Sequence, residues 1–430
     1  MSLNRFAFLT GFGLVGLISG CGGEETPTPQ AKEKKPLKTE AAKPVAEEPP
    51  EAVQQPLEGG PFPGLLVTQA WFWKGSDGKP NPGPARLEIW RETPDGWQAT
   101  RVEDSDSNVF HKAIPYNNGV LTIGAETATL KHWVFADGKW NAENLWTQSW
   151  GGKFNRLRDI EVGDVDGDGK DEWVIATHDA GVVAVVDPAE DGQAIKITEL
   201  DQKADTFVHE IEIGDIDGDG KLEFFATPTD RNKANASQGG SMVMYQYDGT
   251  SYKRSEVDPF GKTHAKEILA ADLNGDGISE LFSVVEAETI GKSIINPVEI
   301  RQYLYKDGQF TPNVIATIDD RQTRFLLAGD FDHDGKSDLI AAAMSSGLWI
   351  LKQGDDGAWA SSLIDKDSSG FEHTSYGADL NQDGKLELYV AADEQGALNK
   401  YLWDGQQFAK TKIGEIPENT ITWNIVSGVF

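Results

Sequence analysis

The sequence contains a single cysteine and far fewer basic than acidic residues. Because Cys21 has no second thiol to pair with, a disulfide within the chain is excluded. The chain has 39 Lys and Arg residues against 69 Asp and Glu residues, which gives a formal net charge of −30 at pH 7. Nucleic acids and anionic lipids bind basic surfaces. The charge therefore excludes a nucleic-acid partner and simple electrostatic adhesion to a membrane.

The motifs of common hydrolases are also missing. The chain has no GxSxG motif, no HExxH motif and no cysteine besides Cys21 that would serve as a nucleophile. Catalysis thus has no support from a nucleophile motif, and we expect a binding protein rather than an enzyme.

Long hydrophobic runs are absent as well. The apolar segment at residues 6–18 is too short for a transmembrane helix, and the sequence ISGC at residues 18–21 resembles a bacterial lipobox. Residues 1–20 are therefore predicted to be a signal peptide, and Cys21 the lipidated residue. The alternative is an ordinary secretory signal with an incidental cysteine. Because Gly22 replaces the Asp that favours inner-membrane retention, we expect a lipid anchor in the outer membrane if the organism has one.

Residues 21–62 are rich in Pro, Glu, Lys, Ala and Thr and have few apolar side chains. Such a segment buries too little surface to fold, so we predict a disordered tether between Cys21 and a domain at residues 63–430.

Helical periodicity is lacking from residue 65 onward. Short runs of Val, Ile, Leu, Trp and Tyr alternate with Gly, Asn and Asp turns, which indicates an all-β fold. Asp-Gly pairs, which suit type I′ hairpin turns, begin at residues 95, 137, 191, 248, 307, 356 and 404. Seven hairpins predict seven structural units.

A nine-residue pattern recurs five times, with starts 49 to 58 residues apart. Each copy has Asp or Asn at positions 1, 3 and 5, Gly at position 6, and Asp or Glu at position 9. Ca²⁺ takes about six to eight oxygen ligands, so alternate side chains of a tight loop converge on it and the carbonyl of position 7 adds another. The pattern predicts up to five Ca²⁺ sites, here called loops 1 to 5. Five acidic surface turns are the alternative.

The predicted ligands follow positions 1, 3, 5, 7 and 9 of each loop. They are Asp164, Asp166, Asp168, Lys170 and Glu172 in loop 1; Asp215, Asp217, Asp219, Lys221 and Glu223 in loop 2; Asp272, Asn274, Asp276, Ile278 and Glu280 in loop 3; Asp330, Asp332, Asp334, Lys336 and Asp338 in loop 4; and Asp379, Asn381, Asp383, Lys385 and Glu387 in loop 5. Without metal these carboxylates repel one another, so we expect calcium binding and folding to be coupled.

A four-stranded antiparallel unit that repeats about every 50 residues is the blade of a β-propeller. In the unit of loop 2, strands are predicted at residues 209–214, 222–227, 241–247 and 252–257. Five blades carry loops, and a sixth, at residues 110–146, has lost its loop.

The seventh predicted blade is divided between the two ends of the domain. Residues 65–73, 85–91 and 97–102 form its second to fourth strands, and residues 421–430 form its first strand. Pairing of the last strand with the first ones closes the ring and removes the sheet edges.

With these loops the chain resembles the FG-GAP/VCBS repeat family, whose best-known member is the propeller of the integrin α-subunit. The resemblance implies a calcium-binding seven-bladed propeller. It leaves the activity open, because the family includes adhesion modules, sugar-binding lectins and domains attached to polysaccharide lyases. This chain departs from the family at Asn274 and Asn381, and at His333 and Gln382, which occupy position 4 where Gly is usual. Fewer charges predict weaker binding in loops 3 and 5.

A second candidate site lies six residues before position 1 of each loop, or at the aligned position of the other blades. This ring comprises His111, Arg158, His209, Lys266, Arg324, His373 and Trp423. On an acidic protein such a ring would focus positive potential and suit a carboxylate-bearing or uronate-bearing ligand. The alternative is structural: each cation pairs locally with acidic neighbours such as Asp159, Glu210 and Glu267.

Long connections between second and third strands are predicted on the same face as the ring, at residues 74–84, 228–240 and 286–297. Binding residues are often carried by long loops on a rigid scaffold. The candidates are Asp230, Arg231, Asn232, Lys233 and Lys292.

Taken together, these features predict a monomeric, calcium-stabilised lipoprotein that binds a protein or a glycan at the cell envelope and contacts the membrane only through its lipid. One alternative is an enzyme acting on acidic polysaccharide through a metal shared by His111, His209 and His373. The other is a scaffold of an envelope complex with no small ligand.

The charge argument predicts a ranking of loop substitutions. Asp219→Ala removes a carboxylate from loop 2, whereas Asn381→Ala removes a neutral amide from loop 5. We expect the first substitution to lower the melting temperature in calcium more than the second, as measured by differential scanning calorimetry. The reverse ranking would contradict the charge argument.

Overall fold

The computed structural model describes residues 48–151, 155–188, 194–231 and 236–430, and its strands lie within the compact unit Pro49–Phe430. The predicted signal peptide, Cys21 and the Asp-Gly pair at residue 191 lie outside the described residues. Apart from one turn of 3-10 helix at Asp393–Gln395, the described part of the chain consists of strands, turns and loops. No helix in this part is long and apolar enough to cross a membrane.

The strands form seven antiparallel sheets, the blades of a β-propeller. Blade 1 begins with β1 (Pro63–Lys74), β2 (Pro80–Pro82), β3 (Ala85–Thr93) and β4 (Gly96–Asp104). Blade 2 holds β5 (Phe110–Tyr116), β6 (Gly119–Gly124), β7 (Ala128–Ala136) and β8 (Lys139–Gln148). Blade 3 holds β9 (Leu157–Gly163), β10 (Glu172–Thr177), β11 (Val183–Asp187) and β12 (Lys196–Asp201). Blade 4 holds β13 (Thr206–Gly214), β14 (Glu223–Asp230), β15 (Ser241–Tyr247) and β16 (Tyr252–Pro259).

Blade 5 contains an insertion. It holds β17 (Ala265–Ala271), β18 (Glu280–Val285), the separate hairpin β19 (Glu288–Ile290) and β20 (Ser293–Asn296), β21 (Val298–Lys306) and β22 (Gln309–Ile318). Blade 6 holds β23 (Thr323–Gly329), β24 (Asp338–Ala343), β25 (Gly347–Gln353) and β26 (Trp359–Asp365). Blade 7 holds β27 (Ser375–Ala378), β28 (Glu387–Ala392), β29 (Ala397–Trp403) and β30 (Phe408–Glu415). The last strand, β31 (Thr420–Val429), joins blade 1.

The predicted closure of the ring is confirmed. Strand β31 pairs antiparallel with β1 along its whole length, from Pro63 opposite Val429 to Trp71 opposite Thr420, with one bulge after Thr68. The first strand of blade 1 is thus supplied by the other end of the chain. The all-β, seven-bladed fold predicted from the sequence is also confirmed.

The hydrophobic core lies between neighbouring blades. One cluster joins Val174 and Val185 of blade 3 to Phe224 and Tyr245 of blade 4. The next interface joins Phe225 of blade 4 to side chains of blade 5 such as Ile268 and Leu281. Because alternate side chains of a strand point to opposite sheet faces, each middle strand packs against both of its neighbours.

The first strands of the blades line the axis and contact one another in sequence around it. The predicted ring residues lie near the start of these strands, and loops 1 to 5 follow their ends. The two candidate sites are therefore at opposite faces of the propeller, as predicted.

The hairpin prediction is correct for position but only partly for turn type. Both residues have positive φ at Asp137-Gly138 and Asp307-Gly308, as a type I′ turn requires. At the other described pairs only the Gly has positive φ, as in Gly96 and Gly405. These hairpins use other turn geometries, which an Asp-Gly pair also permits.

The tether prediction is wrong near its end. The backbone N–H of Gln55 donates to the carbonyl of Arg101, and that of Glu103 donates to the carbonyl of Val53. The indole N–H of Trp140 donates to the carbonyl of Gln55. Backbone pairing holds this segment against the outer edge of β4 although it offers few apolar side chains. An otherwise open sheet edge is thereby covered.

The closure predicts the cost of weakening β31. Ile425 is buried in the cluster that contains Leu65, Val67 and Tyr389, whereas Val429 at the end of the strand is 64% exposed. Ile425→Ala should lower the free energy of unfolding by about 2 to 5 kcal/mol, and Val429→Ala by less than about 0.5 kcal/mol. Guanidinium unfolding monitored by Trp fluorescence measures both, and equal effects would contradict the importance of the closing strand.

Candidate metal loops and the axial face

The five acidic loops share one hydrogen-bond pattern. In each, the N–H of the position-6 glycine donates to the position-1 carboxylate, at 2.8 to 3.0 Å. The N–H of position 5 or 7 donates to a side-chain oxygen two residues earlier, as from Lys221 to Asp219. These contacts hold the acidic side chains of positions 1, 3 and 5 on the inside of the turn.

Two positions of each loop have backbone in the left-handed region. The position-6 glycines have φ between 82° and 91°, which explains the invariant Gly of the pattern. Position 4 is also left-handed, with φ of 57° at His333 and 59° at Gln382. Sequence reasoning did not identify this second constraint, although Gly at position 4 of loops 1 to 3 is its signal.

Three of the loops bring together carboxylates from positions 1, 3 and 9 closely enough to share a metal ion. These sets are Asp164, Asp166 and Glu172; Asp215, Asp217 and Glu223; and Asp330, Asp332 and Asp338. In loop 3 the amide of Asn274 donates to Glu280, and in loop 5 that of Asn381 donates to Asp383. Hard oxygen donors in such sets fit Ca²⁺.

Two observations indicate that a bound cation would stabilise the loops. Burial and neighbouring carboxylates raise the pKa of Glu172, Glu223 and Asp338 to about 7. In loop 4, Oδ1 of Asp332 and Oδ2 of Asp338 are buried and accept no hydrogen bond from the described residues. Bound Ca²⁺ would supply the positive charge and the missing contacts.

The axial ring is buried rather than open to solvent. The His111 ring contacts the Trp423 indole with centroids 4.7 Å apart, and the Arg158 guanidinium lies over that indole at 5.1 Å. Lys266 is 8% exposed, and its ammonium makes no hydrogen bond or ion pair with the described part of the chain. Burial, with the nearby Arg324, lowers the pKa of Lys266 to about 8.

One carboxylate joins two cations of this ring. Oε1 of Glu372, in the loop before β27, lies 2.5 Å from Nη1 of Arg324, and its Oε2 lies 3.6 Å from Nη2 of Arg158. Glu286 adds a second partner, 3.3 Å from Nε of Arg324. The cations of blades 3 and 6 are thus neutralised by the chain itself.

The structural alternative predicted that the ring cations pair with neighbours such as Asp159, Glu210 and Glu267. Asp159 and Glu267 make other contacts instead. Asp159 pairs with Lys112 at 2.9 Å and accepts a hydrogen bond from the N–H of Ile211, in the next blade. Glu267 accepts one from the N–H of Leu326. These carboxylates join adjacent first strands, whereas Glu286 and Glu372, from connecting loops, pair with the ring. Sequence spacing gave no signal for the latter two.

The histidines of the lyase alternative do not form a metal site in the described residues. His209 has His178 and His264 as ring neighbours, at 5.1 and 6.0 Å. The His373 ring is hydrogen-bonded to the Ser368 hydroxyl and to the carbonyl of Ala343. The His111 ring is hydrogen-bonded to the carbonyl of Leu157. Each of the three predicted histidines contacts different residues. The lyase alternative was based on a metal shared by these three side chains, and their contacts do not support it.

The predicted connecting loops lie beside the ring. Arg231 is exposed and pairs with Asp205 at 3.1 Å, and Asp230 ends β14. Lys292 is exposed at the tip of the β19–β20 hairpin, to which Ser237 is hydrogen-bonded through Thr289. Asn232 and Lys233 lie outside the described residues. Among the described candidates, Asp230, Arg231 and Lys292 do not line the cleft under the β19–β20 hairpin, and the binding role of all five stays a prediction.

A cleft of about 310 Å³ lies under the β19–β20 hairpin. Its apolar part is formed by Phe260 and Val285, and its rim by polar side chains. The polar lining is Lys262, Thr263, Glu286, Glu288, Asn296, Glu299 and Arg301. Glu286 lines this cleft and also pairs with Arg324 of the axial ring, so the cleft adjoins the ring.

The buried histidines predict a sensitivity to acid. Burial lowers the pKa of His373 to about 4, below its ordinary value of 6.5. Its stabilising contribution is therefore present above pH 6.5 and is lost as the pH falls towards 4. His373→Asn keeps a donor for the Ala343 carbonyl but does not titrate. Between pH 7 and pH 4.5, we expect the variant to lose about 2 kcal/mol less unfolding free energy than the wild type in urea titrations.

Ser368→Ala is the control for this measurement, because it removes the hydrogen bond to His373 and keeps the titrating ring. It should retain the pH dependence of the wild type. Parallel pH profiles for the wild type and His373→Asn would contradict the assignment.

Comparisons with known proteins agree with the fold and the loops. The FG-GAP-like repeat matches residues 164–226 and 215–283, and the FG-GAP repeat matches residues 323–358. No curated protein matches the chain.

Among solved structures, a protein from Lactobacillus plantarum is similar at 12% identity, with a TM-score of 0.56 over 85% of this chain and 99% of that one. The periplasmic gluconolactonase of Pseudomonas aeruginosa is also similar at 12% identity, with a TM-score of 0.52 and the same coverage. At such identities the likeness is one of fold. The chain thus contains FG-GAP-type repeats at these residues and is built as a seven-bladed β-propeller.

Proposed function

We propose that this propeller is a calcium-stabilised binding module of the cell envelope, and that it binds a glycan in the cleft under the β19–β20 hairpin. The cleft is the observation that carries the proposal. It combines an apolar patch of Phe260 and Val285 with paired donors and acceptors, a lining that suits the mixed apolar and hydroxyl surface of a sugar.

Calcium would act on the face opposite the cleft. The carboxylates at positions 1, 3, 5 and 9 and the carbonyl at position 7 of each loop would hold the ion. Bound Ca²⁺ supplies positive charge that offsets the repulsion among these carboxylates. Its role here is to stabilise the blades, since the loops are at the other end of the first strands.

The charge of the cleft favours a neutral glycan over the acidic ligand expected from the ring. Glu286, Glu288 and Glu299 outnumber the two cationic side chains of the lining. Arg301 is bound to Glu299 and Asp258, and Lys262 lies 3.7 Å from Glu288. An additional carboxylate would meet an excess of negative charge, whereas hydroxyl groups would bridge the existing pairs.

Attachment to the envelope would come from the lipobox at residues 18–21, with acylation at Cys21 as the anchor. The outer membrane is the proposed location if the organism has one. The closed ring would then be presented as a monomer on a tether, with the cleft free to meet a glycan.

A glycan array tests the proposal directly. The protein with Cys21→Ser, which prevents acylation, is applied with calcium and again after treatment with chelator. We expect binding to neutral glycans in calcium, and a melting temperature several degrees lower in chelator. Binding only to a protein of the envelope, or no glycan binding, would overturn the proposed ligand. An unchanged melting temperature would contradict calcium binding.

A substitution in the cleft tests whether the glycan binds there. Asn296 is exposed on the rim, where its amide donates to Glu288 at 2.7 Å. Asn296→Ala should weaken glycan affinity about tenfold in isothermal titration, the loss of one or two hydrogen bonds. Gln309→Ala is the matched control, because Gln309 is exposed at the far end of the same blade. Equal effects of the two substitutions would place the ligand elsewhere.

A further inference from the structure

We propose that the third-strand residue facing position 9 sets the cation affinity of each loop, and that Lys352 makes loop 4 a weak calcium site. The inference rests on the calcium binding proposed above, and names a determinant of affinity outside the nine-residue pattern. It is carried by the contacts of one ammonium group with three carboxylates.

Lys352 lies in β25, which pairs with β24, the strand that begins at Asp338. Its Nζ atom is 2.6 Å from Oδ2 of Asp334 and 3.8 Å from Oδ1 of Asp338, and it also contacts Oδ2 of Asp332. These carboxylates occupy positions 5, 9 and 3 of loop 4. The ammonium therefore lies among the groups that would hold the metal.

The corresponding residue differs in charge from blade to blade. In blade 4, Gln246 donates hydrogen bonds to Glu223 at 2.9 Å and to Asp217 at 3.3 Å, so a neutral amide takes the place of the ammonium. In blade 3 the strand pairing places Asp187 next to Glu172, which adds a negative charge beside loop 1. The same register gives Leu304 in blade 5 and Leu402 in blade 7. In blade 7, Lys400, two residues earlier in the third strand, places its Nζ atom 3.7 Å from Oε1 of Glu387, so loop 5 also has an ammonium beside position 9 but in contact with one carboxylate of the loop rather than three.

An ammonium at this place has two opposite effects. Without metal it offsets the repulsion among the carboxylates of loop 4. When Ca²⁺ enters, the ammonium repels it or must leave, so the affinity falls. The Lys352 side chain is 35% exposed and has a path to solvent.

Lys352 does not saturate the site. Oδ1 of Asp332 and Oδ2 of Asp338 have no hydrogen-bond partner among the described residues, and Asp338 is 1% exposed. These two oxygens remain for a cation. Loop 4 should therefore still bind calcium, but more weakly than loops 1 and 2.

Calcium titration of the full chain after chelator treatment tests the proposal. Lys352→Gln reproduces the residue of blade 4, and we expect one calcium-binding step to tighten at least tenfold. The tightened step should disappear in the double variant Lys352→Gln, Asp330→Asn, which assigns it to loop 4. The reciprocal Gln246→Lys should weaken one of the tight steps of the wild type at least tenfold.

Melting temperatures give a second readout. In chelator, Lys352→Gln should melt below the wild type because the carboxylates lose their counter-ion; in calcium, it should melt at or above it. Lys336→Gln is the matched control, since it removes the same charge from the same loop but from an ammonium that pairs with Asp355 at 2.6 Å. It should show no such reversal.

The outcomes separate the two proposals. Wild-type calcium binding with every step unchanged in Lys352→Gln and Gln246→Lys would overturn the role of Lys352 and leave calcium binding intact. A tightening of equal size in Lys336→Gln would also overturn it, because net charge rather than position would then be responsible. Absence of calcium binding in every variant would overturn both proposals.

Discussion

Backbone pairing between β31 and β1 is the constraint on which the rest of the propeller depends. With it, every first strand has a neighbour on both sides, and every blade packs on two others. Without it, the ring would open between blades 7 and 1, and each of these two blades would expose an apolar face. The segment at residues 53–55, paired with the outer edge of β4, further protects the blade in which the two ends of the domain meet.

Closure also determines how charge is distributed along the first strands. At one end of five of these strands a tight turn directs carboxylates inward, which produces local sites of high negative charge density. At the other end, the strands converge on the axis and bring Arg158 and Arg324 from separate blades to one carboxylate, Glu372. A group that is neutralised in this way is well suited to tying blades together, which explains why the more open cleft, and not the ring, is the better candidate for a ligand.

The five loops are alike in backbone and different in electrostatics. Their shared hydrogen bonds from glycine N–H to the position-1 carboxylate form regardless of the charge at position 3. What varies is the third-strand side chain next to position 9: Asp187 beside loop 1, Gln246 beside loop 2, Lys352 beside loop 4 and Lys400 beside loop 5. Repetition of a motif thus provides five loops of similar backbone, and under the proposal above the side chains outside the motif would give each loop its own cation affinity.

Much of the fold was predictable from the sequence because its signals are local and repeated. The period of the acidic loops, the Asp-Gly turns and the alternation of apolar side chains predicted the blades, and the missing first strand of blade 1 predicted the closure. In the blade of loop 2, the third strand has its predicted bounds, Ser241–Tyr247. The first strand begins three residues earlier and the fourth ends two residues later than predicted, whereas the second begins one residue later and ends three residues later.

The partners of the ring residues were decided only by the tertiary structure. Glu286 and Glu372 lie in loops with no spacing relation to Arg158 or Arg324, and they meet them because the ring closes. Lys352 enters loop 4 through the register of two strands, which no nine-residue pattern contains. The sequence by itself determined which residues are able to bind a cation. Only the packing of the blades decided which charges are already satisfied, because a contact between distant segments depends on the closed geometry of all seven blades.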